Sequence, residues 1–479
     1  MTSSALRGVN LVGGEFSWGK VPSPKEGKDY LFVSDQDIDY LAWVGVKFAR
    51  LVFSWELLQP VLRGVLSVGP GSYGERLFSR VAYLRSKGIK VLLEPHGAET
   101  PKFARWKGAL VGTAACPNDA FAHLWSRLAL LYKGDPDGVY FGLSNEPNNM
   151  PTMQWFQAAQ AAIAAIRAAG AANWVVCPGN GWSNAASWGY DWYDTSGKKV
   201  SNEEGWDACI RDPLNKTMIG VHCYFDNDRS GASDNILEPF VGVTDLAKVV
   251  EWAKPRGLKV LVGEFGANPS TPTFQKYMKA FLDYIDVERN TVEGWCWWAY
   301  GPPAWWGKYH FTLCPSGNYT VPAPALSVLT GRFTPPPSGP AVFPHGIMTP
   351  PPIPPDTTKA FYFAVDGSMG RGVTPGRYRV TARTRVTTFG GEGSTIYEVT
   401  LENPSSVVDV EWSKLRVAAE GVLTCLSPLY SAEMVDGELV LRPTKDDGRL
   451  QARGRVTVPI AVAHPVGVDP LFAVTGLEL

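Results

Sequence analysis

The chain lacks any apolar stretch of the roughly 18 residues that a membrane-spanning helix needs. It also lacks an excess of charge, because 45 lysines and arginines face 46 acidic residues and leave a net charge of −1. Proteins that bind nucleic acid or anionic membranes usually carry a basic surface. We therefore expect neither kind of partner. The start of the chain, Met1-Thr2-Ser3-Ser4, lacks the basic and apolar regions of a signal peptide.

Residue patterns for metals and cofactors are missing as well. The six histidines form no H-E-x-x-H pair, and neither a phosphate-binding Walker loop nor a dinucleotide fingerprint occurs. The seven cysteines have irregular spacing and include no C-x-x-C, which fits neither a zinc site nor a disulfide framework. We predict no metal and no cofactor, and cysteines that act mainly as small buried hydrophobes, with one or two disulfide bridges left open.

Tryptophan and proline divide the chain into two parts. Of 18 tryptophans, 17 lie between Trp18 and Trp306, and only Trp412 comes later. A proline-rich stretch begins near residue 334 and ends with Pro354-Pro355, and such a segment is extended and stiff without packing into a core. We predict a catalytic domain at 1–332, a linker at 333–357 and a small second domain at 358–479.

The first part alternates short apolar runs with helical patterns. Eight runs are candidate strands: Leu6–Val12, Lys47–Phe53, Ile89–Glu94, Val139–Ser144, Trp174–Cys177, Met218–Cys223, Lys259–Val262 and Gly294–Trp298. Six stretches between them are candidate helices: Asp35–Val44, Tyr73–Lys87, Asn118–Tyr132, Thr152–Ala169, Thr244–Pro255 and Thr273–Val287. This alternation predicts an α/β fold, the (β/α)8 barrel, whose functional residues lie at the carboxyl ends of the strands.

The pattern beyond Phe361 changes to alternation with period two. Candidate strands are Arg377–Thr387, Thr395–Glu402, Ser406–Trp412, Gly437–Arg442 and Gly454–Ala463. Turn signals such as Gly390-Gly391 separate them. We predict a small antiparallel all-β domain resembling a sandwich.

Two glutamates carry most of the functional information. Glu146, in Ser144-Asn145-Glu146-Pro147, and Glu264, in Gly263-Glu264-Phe265-Gly266, each follow an apolar run that reads as a buried strand. A parallel barrel would bring the two carboxyl groups face to face. Two opposed carboxyl groups are the minimum equipment for hydrolysing a glycosidic bond, because one protonates the leaving oxygen and the other attacks the sugar.

Each of these residues also has an ordinary explanation. A single glutamate after a strand is usually a solvated loop residue or a helix cap. A histidine in a core is usually hydrogen-bonded there, and a buried arginine usually serves a structural ion pair. Only the joint occurrence of the two motifs favours the catalytic interpretation.

Several segments in barrel order resemble glycoside hydrolase family 5, and in particular its fungal and bacterial endoglucanases. They include Arg7-Gly8-Val9-Asn10, Phe53-Ser54-Trp55-Glu56, the two glutamate motifs, His222-Cys223-Tyr224, Asp226 to Gly231 and Trp298-Ala299-Tyr300-Gly301. The resemblance covers about residues 5–331. It implies an endo-β-1,4-glucanase that acts on cellulose or another β-1,4-glucan with retention of configuration. Related backbones (mannan, xyloglucan, mixed-linkage glucan) and a silent glycan-binding protein are the alternatives.

The resemblance also implies roles for particular residues. Glu146 is expected to be the general acid/base and Glu264 the nucleophile, with the carboxyl groups about 5–5.5 Å apart. Substrate-binding and supporting roles are expected for Arg50, His96, Asn145, His222, Tyr224, Trp298, Trp182, Trp305 and Trp306. Glu94 is a candidate supporting carboxylate, and Trp188 a further candidate for lining the cleft. The resemblance further implies secretion.

The role of the second domain stays open at this stage. It has one tryptophan and scattered other aromatic residues, whereas carbohydrate-binding modules usually expose a row of them. Carbohydrate binding, homo-oligomerisation or packing on the barrel, and some other role are the three interpretations. A binding module should retain affinity for cellulose when expressed alone, and deletion of an assembly module should change the oligomeric state.

Overall fold

The structure is a computed structural model. It describes residues 6–333 except 17–23, 70, 97–102, 191, 194–198, 235, 237–239, 330 and 331, and beyond residue 380 it describes strands between 381 and 478. The predicted linker, apart from Phe333, and Trp412 lie outside the described residues. None of the helices in the described part of the chain combines the length and the apolar character of a membrane span.

Eight parallel strands close into a barrel in which each strand pairs with its neighbours in the chain and β8 pairs with β1. They are β1 (Leu6–Leu11), β2 (Phe48–Phe53), β3 (Lys90–Pro95), β4 (Val139–Gly142), β5 (Val175–Pro178), β6 (Thr217–Tyr224), β7 (Val260–Gly266) and β8 (Val292–Tyr300). All eight predicted strands are therefore confirmed. The (β/α)8 fold follows because strands buried on both faces read as continuous apolar runs.

In the described part of the barrel, seven longer helices lie between the strands. They are α1 (Asp35–Trp43), α2 (Tyr73–Ser86), α3 (Asn118–Tyr132), α4 (Thr152–Ala168), α5 (Asn202–Cys209), α6 (Val241–Ala253) and α7 (Phe274–Val287). Shorter turns of helix occur at Trp55–Leu58, Ala185–Ser187, Lys254–Arg256, Pro303–Trp306 and Leu326–Leu329. Two-residue strands pair at Arg105–Trp106 with Ala109–Leu110 and at Trp192–Tyr193 with Lys199–Val200.

Helix α5 was not predicted, although the sequence contains its start signal. Ser201 accepts a hydrogen bond from the backbone of Glu204, and the Glu204 side chain caps the backbone of Ser201. This reciprocal pair is a capping box, which satisfies two free backbone donors at a helix start. Helix α6 begins at Val241 rather than Thr244, with Phe240 in a left-handed conformation (φ 47°) at its N-cap.

The barrel interior is filled by one buried side chain from each strand, in chain order Leu6, Phe48, Leu92, Tyr140, Val176, Met218, Leu261 and Cys296. Side chains alternate between the two faces of a strand, so residues two positions further along also point inward, nearer the carboxyl ends. Arg50 stands two residues after Phe48, and Glu94 two after Leu92. The apolar layer thus forms a floor beneath the polar residues of the site.

The C-terminal part contains two four-stranded antiparallel sheets. One has the strand order Thr381–Gly390, Ser394–Glu402, Arg455–Ala463 and Val422–Cys425, and the other Tyr430–Val435, Glu438–Pro443, Lys414–Ala419 and Phe472–Glu478. Val410–Glu411 pairs separately with Arg449–Leu450. The predicted all-β character is confirmed, and four strands in these sheets were not predicted from the sequence.

Candidate active site

Arg50 is the centre of a buried polar network at the carboxyl end of the barrel. Its side chain is fully enclosed and pairs with Glu94 on β3 and with Glu264 on β7, where Nη1 lies 2.7 Å from Oε1. Burial lowers the pKa of the guanidinium, but the ion pairs with Glu94 and Glu264 more than offset this, so Arg50 stays charged. The predicted supporting carboxylate, Glu94, therefore lies beside Arg50.

The remaining donors of Arg50 hold two asparagines. Nη1 donates to Asn10 Oδ1 (2.6 Å), and Nη2 donates to Asn145 Oδ1 (2.6 Å). Asn10 in turn donates to the backbone oxygens of Gly263 (2.9 Å) and Trp297 (3.1 Å). These bonds tie β1, β2, β7 and β8 together at the height of the site. They also orient the Asn145 amide so that its NH2 group is a donor for substrate.

Glu264 accepts hydrogen bonds on both carboxylate oxygens. Tyr224 Oη donates to Oε2 (2.7 Å), opposite the Arg50 contact on Oε1. Burial by itself would raise the pKa of Glu264, but His222, Arg50 and a hydrogen bond from His96 outweigh it and lower the pKa well below the ordinary value. The Glu264 carboxyl group is therefore held in its ionised form.

The pKa of Glu146 shifts in the opposite direction. Burial raises its pKa above the ordinary carboxyl value, and the hydrogen bond with His222, whose Nδ1 lies 2.7 Å from Oε1, offsets only part of this effect. His222 Nδ1 also lies 3.6 Å from Glu264 Oε2. Two carboxyl groups with opposite pKa shifts are the arrangement that acid–base chemistry requires.

The carboxyl groups of Glu146 and Glu264 are close together. One ligand atom each of Glu146, His222 and Glu264 lie within 4.8 Å of one another. Such a separation suits direct attack by one carboxylate, because an inverting site needs about 6.5–9.5 Å to hold a water molecule between the groups. The three side chains are also of the types that can hold a metal ion, and His222 Nδ1, Glu146 Oε1 and Glu264 Oε2 have partners in the hydrogen-bonding network.

Strained backbone presents Glu146. Its φ is 36°, and the loop after β5 has two successive residues in the left-handed region, Trp182 (φ 59°) and Ser183 (φ 56°). Trp182 N donates to Pro147 O (3.1 Å) and joins the two loops, and His222 N on β6 donates to Ser183 O (2.7 Å). Strain of this kind costs on the order of 1–3 kcal/mol per residue and clusters at functional sites.

Aromatic residues flank the carboxyl groups on two sides. Trp182 is 38% exposed beside the Glu146 loop. Trp298 stacks on His96, with ring centres 5.6 Å apart at 10°, and contacts Trp306 edge to face. Burial lowers the pKa of His96 to about 4, so this imidazole is neutral near pH 7. Trp305 and Trp306 line a groove, and Trp306 also contacts Trp298.

Trp188 does not line the cleft. It is 1% exposed and packs among Trp206 and Trp252, because the turn Ala185–Ser187 directs it into the core. The suggestion that Trp188 contacts substrate is therefore wrong.

The six cysteines whose side chains are described are all free.

Sequence reasoning assigned no separate role to Asn10, Glu15 or Tyr309. Asn10 is fully buried within an apolar strand, and a polar residue in such a run was the available signal. Glu15 is a buried carboxylate whose Oε2 accepts from Gly13 N (2.5 Å), and burial raises its pKa to about 8. The sequence analysis also gave no role to Gly142. A Cβ atom at this position would lie 2.1 Å from Glu94 Oε2.

The pKa shifts predict a broad bell-shaped pH profile for kcat/KM. If Glu264 must be ionised, activity is lost only as pH falls through its lowered pKa. If Glu146 must be protonated, activity is lost as pH rises through its raised pKa. Tyr224→Phe removes one donor to the ionised Glu264 and should move the acid limb to higher pH, leaving the alkaline limb in place. Movement of the alkaline limb instead would contradict the assignment.

Comparison with known proteins identifies relatives of the barrel. The family model described as cellulase (glycosyl hydrolase family 5) matches residues 7–301. Endoglucanase 1 of Robillarda sp. (strain Y-20) is 31% identical over 317 residues, which are 63% of this chain and 78% of that protein. Probable endo-beta-1,4-glucanase B of Neosartorya fischeri is 30% identical over 315 residues, 64% of this chain and 85% of that protein.

Solved structures of similar proteins agree. An endo-beta-1,4-glucanase from Xanthomonas axonopodis pv. citri is 33% identical, with a TM-score of 0.62 over 68% of this chain and 98% of its own. XacCel5A, solved in complex with cellopentaose, is 32% identical, with a TM-score of 0.62 over 69% of this chain and 100% of its own.

Proposed function

Since the chain belongs to the cellulase family, glycosyl hydrolase family 5, we propose that it is an endo-β-1,4-glucanase that cleaves internal bonds of cellulose or related β-glucan. The family makes it a glycoside hydrolase of the retaining type. The observation that carries the proposal is the pair Glu146 and Glu264, which face each other within a few ångströms and have opposite pKa shifts.

We propose that the first chemical step uses both glutamates at once. A Glu264 carboxylate oxygen attacks the anomeric carbon while protonated Glu146 gives its proton to the glycosidic oxygen, so the glycosidic bond breaks as the enzyme–sugar bond forms. The product that leaves carries the Glu146 proton as its new hydroxyl hydrogen. Arg50 and Tyr224 keep Glu264 ionised for this attack.

The second step reverses the proton transfer. Ionised Glu146 takes a proton from a water molecule, which attacks the same anomeric carbon from the side that the leaving group vacated. Glu264 departs as a carboxylate, and two inversions give net retention. His222 lies between the two carboxyl groups and is placed to orient Glu146 and to respond to its change of charge.

The neighbouring residues are proposed to bind the sugar chain. Asn145 donates to the 2-hydroxyl group, because Arg50 already occupies its carbonyl oxygen. His96 holds Trp298 in place as the floor under the sugar at the cleavage point. Trp182 offers an exposed indole face beside Glu146, and tryptophan rings pack well on the apolar faces of pyranoses.

The backbone preference is tested by parallel assays on several polymers. We expect rapid loss of viscosity with slower release of reducing sugar on carboxymethylcellulose and on a neutral β-glucan, because cuts in the middle of a chain shorten it most. Mannan and xyloglucan serve as controls for the alternative backbones. Activity on one of these alone would leave the glutamate assignment standing and move the substrate assignment to the loops of the cleft.

The second domain is proposed to begin after a linker at 333–357, so that the barrel within 1–332 acts by itself. The support is that the family match ends at residue 301 and that the described barrel is closed without later strands. A chain ending at Phe333 should hydrolyse soluble β-glucan at the rate of the full chain. The full chain and the chain ending at Phe333 are also compared in binding to insoluble cellulose and in sedimentation. A difference in binding would indicate a carbohydrate-binding role, and a difference in sedimentation would indicate homo-oligomerisation.

We also infer that the enzyme acts outside the cell, because a glucan polymer cannot cross a membrane to reach an internal enzyme. Endoglucanase activity found only in the cell lysate of the native source, and not in its culture medium, would contradict this.

A further inference from the structure

A groove beside the cleavage site combines aromatic walls with two positive charges. It has a volume of about 560 Å3 and is lined by Phe16, Lys28, Trp305, Trp306, Lys308 and Tyr309. We call it the basic groove. One of its walls contacts a residue of the site, because Trp306 meets Trp298 edge to face with ring centres 6.1 Å apart. The volume lies within the range of about 300–1,000 Å3 that is usual for small-molecule sites.

The aromatic walls of the basic groove support one another. Phe16 and Trp306 lie nearly parallel, with ring centres 6.2 Å apart at 10°. Tyr309 meets Trp306 edge to face at 5.1 Å. Rings fixed in this way offer flat apolar surfaces on which a pyranose can pack without ordering flexible side chains. This half of the groove suits any β-glucan.

Lys28 and Lys308 give the basic groove its positive charge. Lys28 and Lys308 are exposed, and within the part of the chain that the structure describes neither ammonium group pairs with a carboxylate. Some exposed lysines of this chain do pair, as Lys254 does with Glu288 (2.9 Å). The described lining of the groove also contains no acidic residue. As far as its described residues go, the groove presents two positive charges that no carboxylate compensates.

A neutral glucan carries no anionic group that could form an ion pair with these lysines. A lysine can donate to sugar hydroxyls, but so can neutral side chains that do not have to give up the strong hydration of an ammonium group. Two like charges in one concave, aromatic-walled site raise the local concentration of anions and favour negatively charged ligands. The charge pattern thus selects for an acidic group on the sugar.

We propose that the basic groove is a subsite for a gluco-configured sugar unit that bears a carboxylate. The inference rests on the proposed glucanase function, since it places the acidic unit in the groove whose wall, Trp306, contacts Trp298 of the proposed sugar-binding site. The carboxylate has two chemical sources: a glucuronosyl unit within a β-1,4-linked chain, or an oxidised chain end in the aldonate form. In both cases Lys28 and Lys308 bind the carboxylate while the aromatic rings carry the pyranose or the chain next to it.

Direct binding measurements test this without depending on turnover. The protein carries Glu146→Gln to prevent hydrolysis, and the ligands are cellotetraose, cellotetraose with one glucuronosyl unit, and cellotetraonate. We expect the better of the two acidic ligands to bind roughly fivefold or more tightly than cellotetraose, since an exposed ion pair contributes a modest free energy. The preference should disappear in Lys28→Met/Lys308→Met and shrink at high salt. The acidic ligand that binds more tightly identifies the source.

Two control proteins separate charge from damage to the fold. Lys28→Arg/Lys308→Arg keeps both charges and should keep the preference. Lys47→Met removes an exposed lysine just before β2, at the opposite end of the barrel, and should change nothing. Equal dissociation constants for all three ligands, failure of both acidic ligands to bind, or a preference that survives the double methionine variant would overturn the inference. Hydrolysis of neutral cellotetraose by the unsubstituted enzyme tests the proposed function separately.

Discussion

Glu264→Gln is expected to abolish hydrolysis of cello-oligosaccharides, with a loss of about 10⁴-fold or more in kcat, because residues that act as a unit in covalent catalysis cannot be replaced singly. The amide has nearly the shape of the carboxyl group but is a poor nucleophile. It also loses the charge that pairs with Arg50. The measurement is kcat on cellotetraose, with circular dichroism to establish that the variant is folded.

A matched control for this variant is Glu288→Gln. Glu288 makes a surface ion pair with Lys254, far from the network around Arg50, so the rate should be unchanged. Reaction of the unsubstituted enzyme with a 2-deoxy-2-fluorocellobioside that carries a good leaving group should release the leaving group and add one 2-deoxy-2-fluorocellobiosyl unit to Glu264, seen by peptide mass spectrometry. Addition to another residue, or normal turnover by Glu264→Gln, would remove Glu264 from the nucleophile position.

Glu146→Ala is expected to lower kcat/KM on cellotetraose by about 10²–10⁴-fold, which is the usual contribution of general acid–base catalysis. The loss should depend on the leaving group. An aryl cellobioside whose phenol leaves without protonation should still form the covalent intermediate rapidly, and only its hydrolysis should be slow. A burst of phenol followed by slow turnover is therefore expected.

Azide separates the acid/base role from a structural one. The small anion can attack the intermediate without help from a base, so it should restore turnover of the aryl substrate in Glu146→Ala and give a β-glycosyl azide. The product with the β configuration also reports two inversions. His222→Gln, which keeps Glu146 but removes its imidazole partner, should show no azide effect. Equal loss on both substrates with no rescue would contradict the role of Glu146.

The strand pattern of the barrel was readable from the sequence because parallel strands are buried on both faces. Runs such as Val139–Gly142 are continuously apolar, and a helical pattern bounded by Pro151 and Gly170 predicted the position of α4. The prediction of strands in the C-terminal part was less complete. Lys414–Ala419 carries lysine and arginine within a short run, and such strands have no clear period without their partners.

The identity of the site residues was also local information. Asn-Glu-Pro and Gly-Glu-Phe-Gly stand at strand ends, where a barrel collects its functional side chains. The environment of each residue, by contrast, depends on parts of the chain that are distant in sequence. Trp182 and Trp188 lie in the same loop after β5, yet the first is exposed at the cleft and the second is buried in the core. Only the packing of Trp206 and Trp252 decides this difference.

The sequence by itself therefore determined the barrel, the two catalytic candidates and the resemblance to a family, because these depend on residue type and spacing along the chain. The tertiary structure decided the opposite directions in which the pKa values of the two glutamates shift. Glu146 and Glu264 have the same chemistry in isolation. Their pKa values move apart because burial dominates at Glu146, whereas His222, Arg50 and His96 outweigh burial at Glu264. Electrostatic environment is a property of distances in space, and no spacing in the chain contains it.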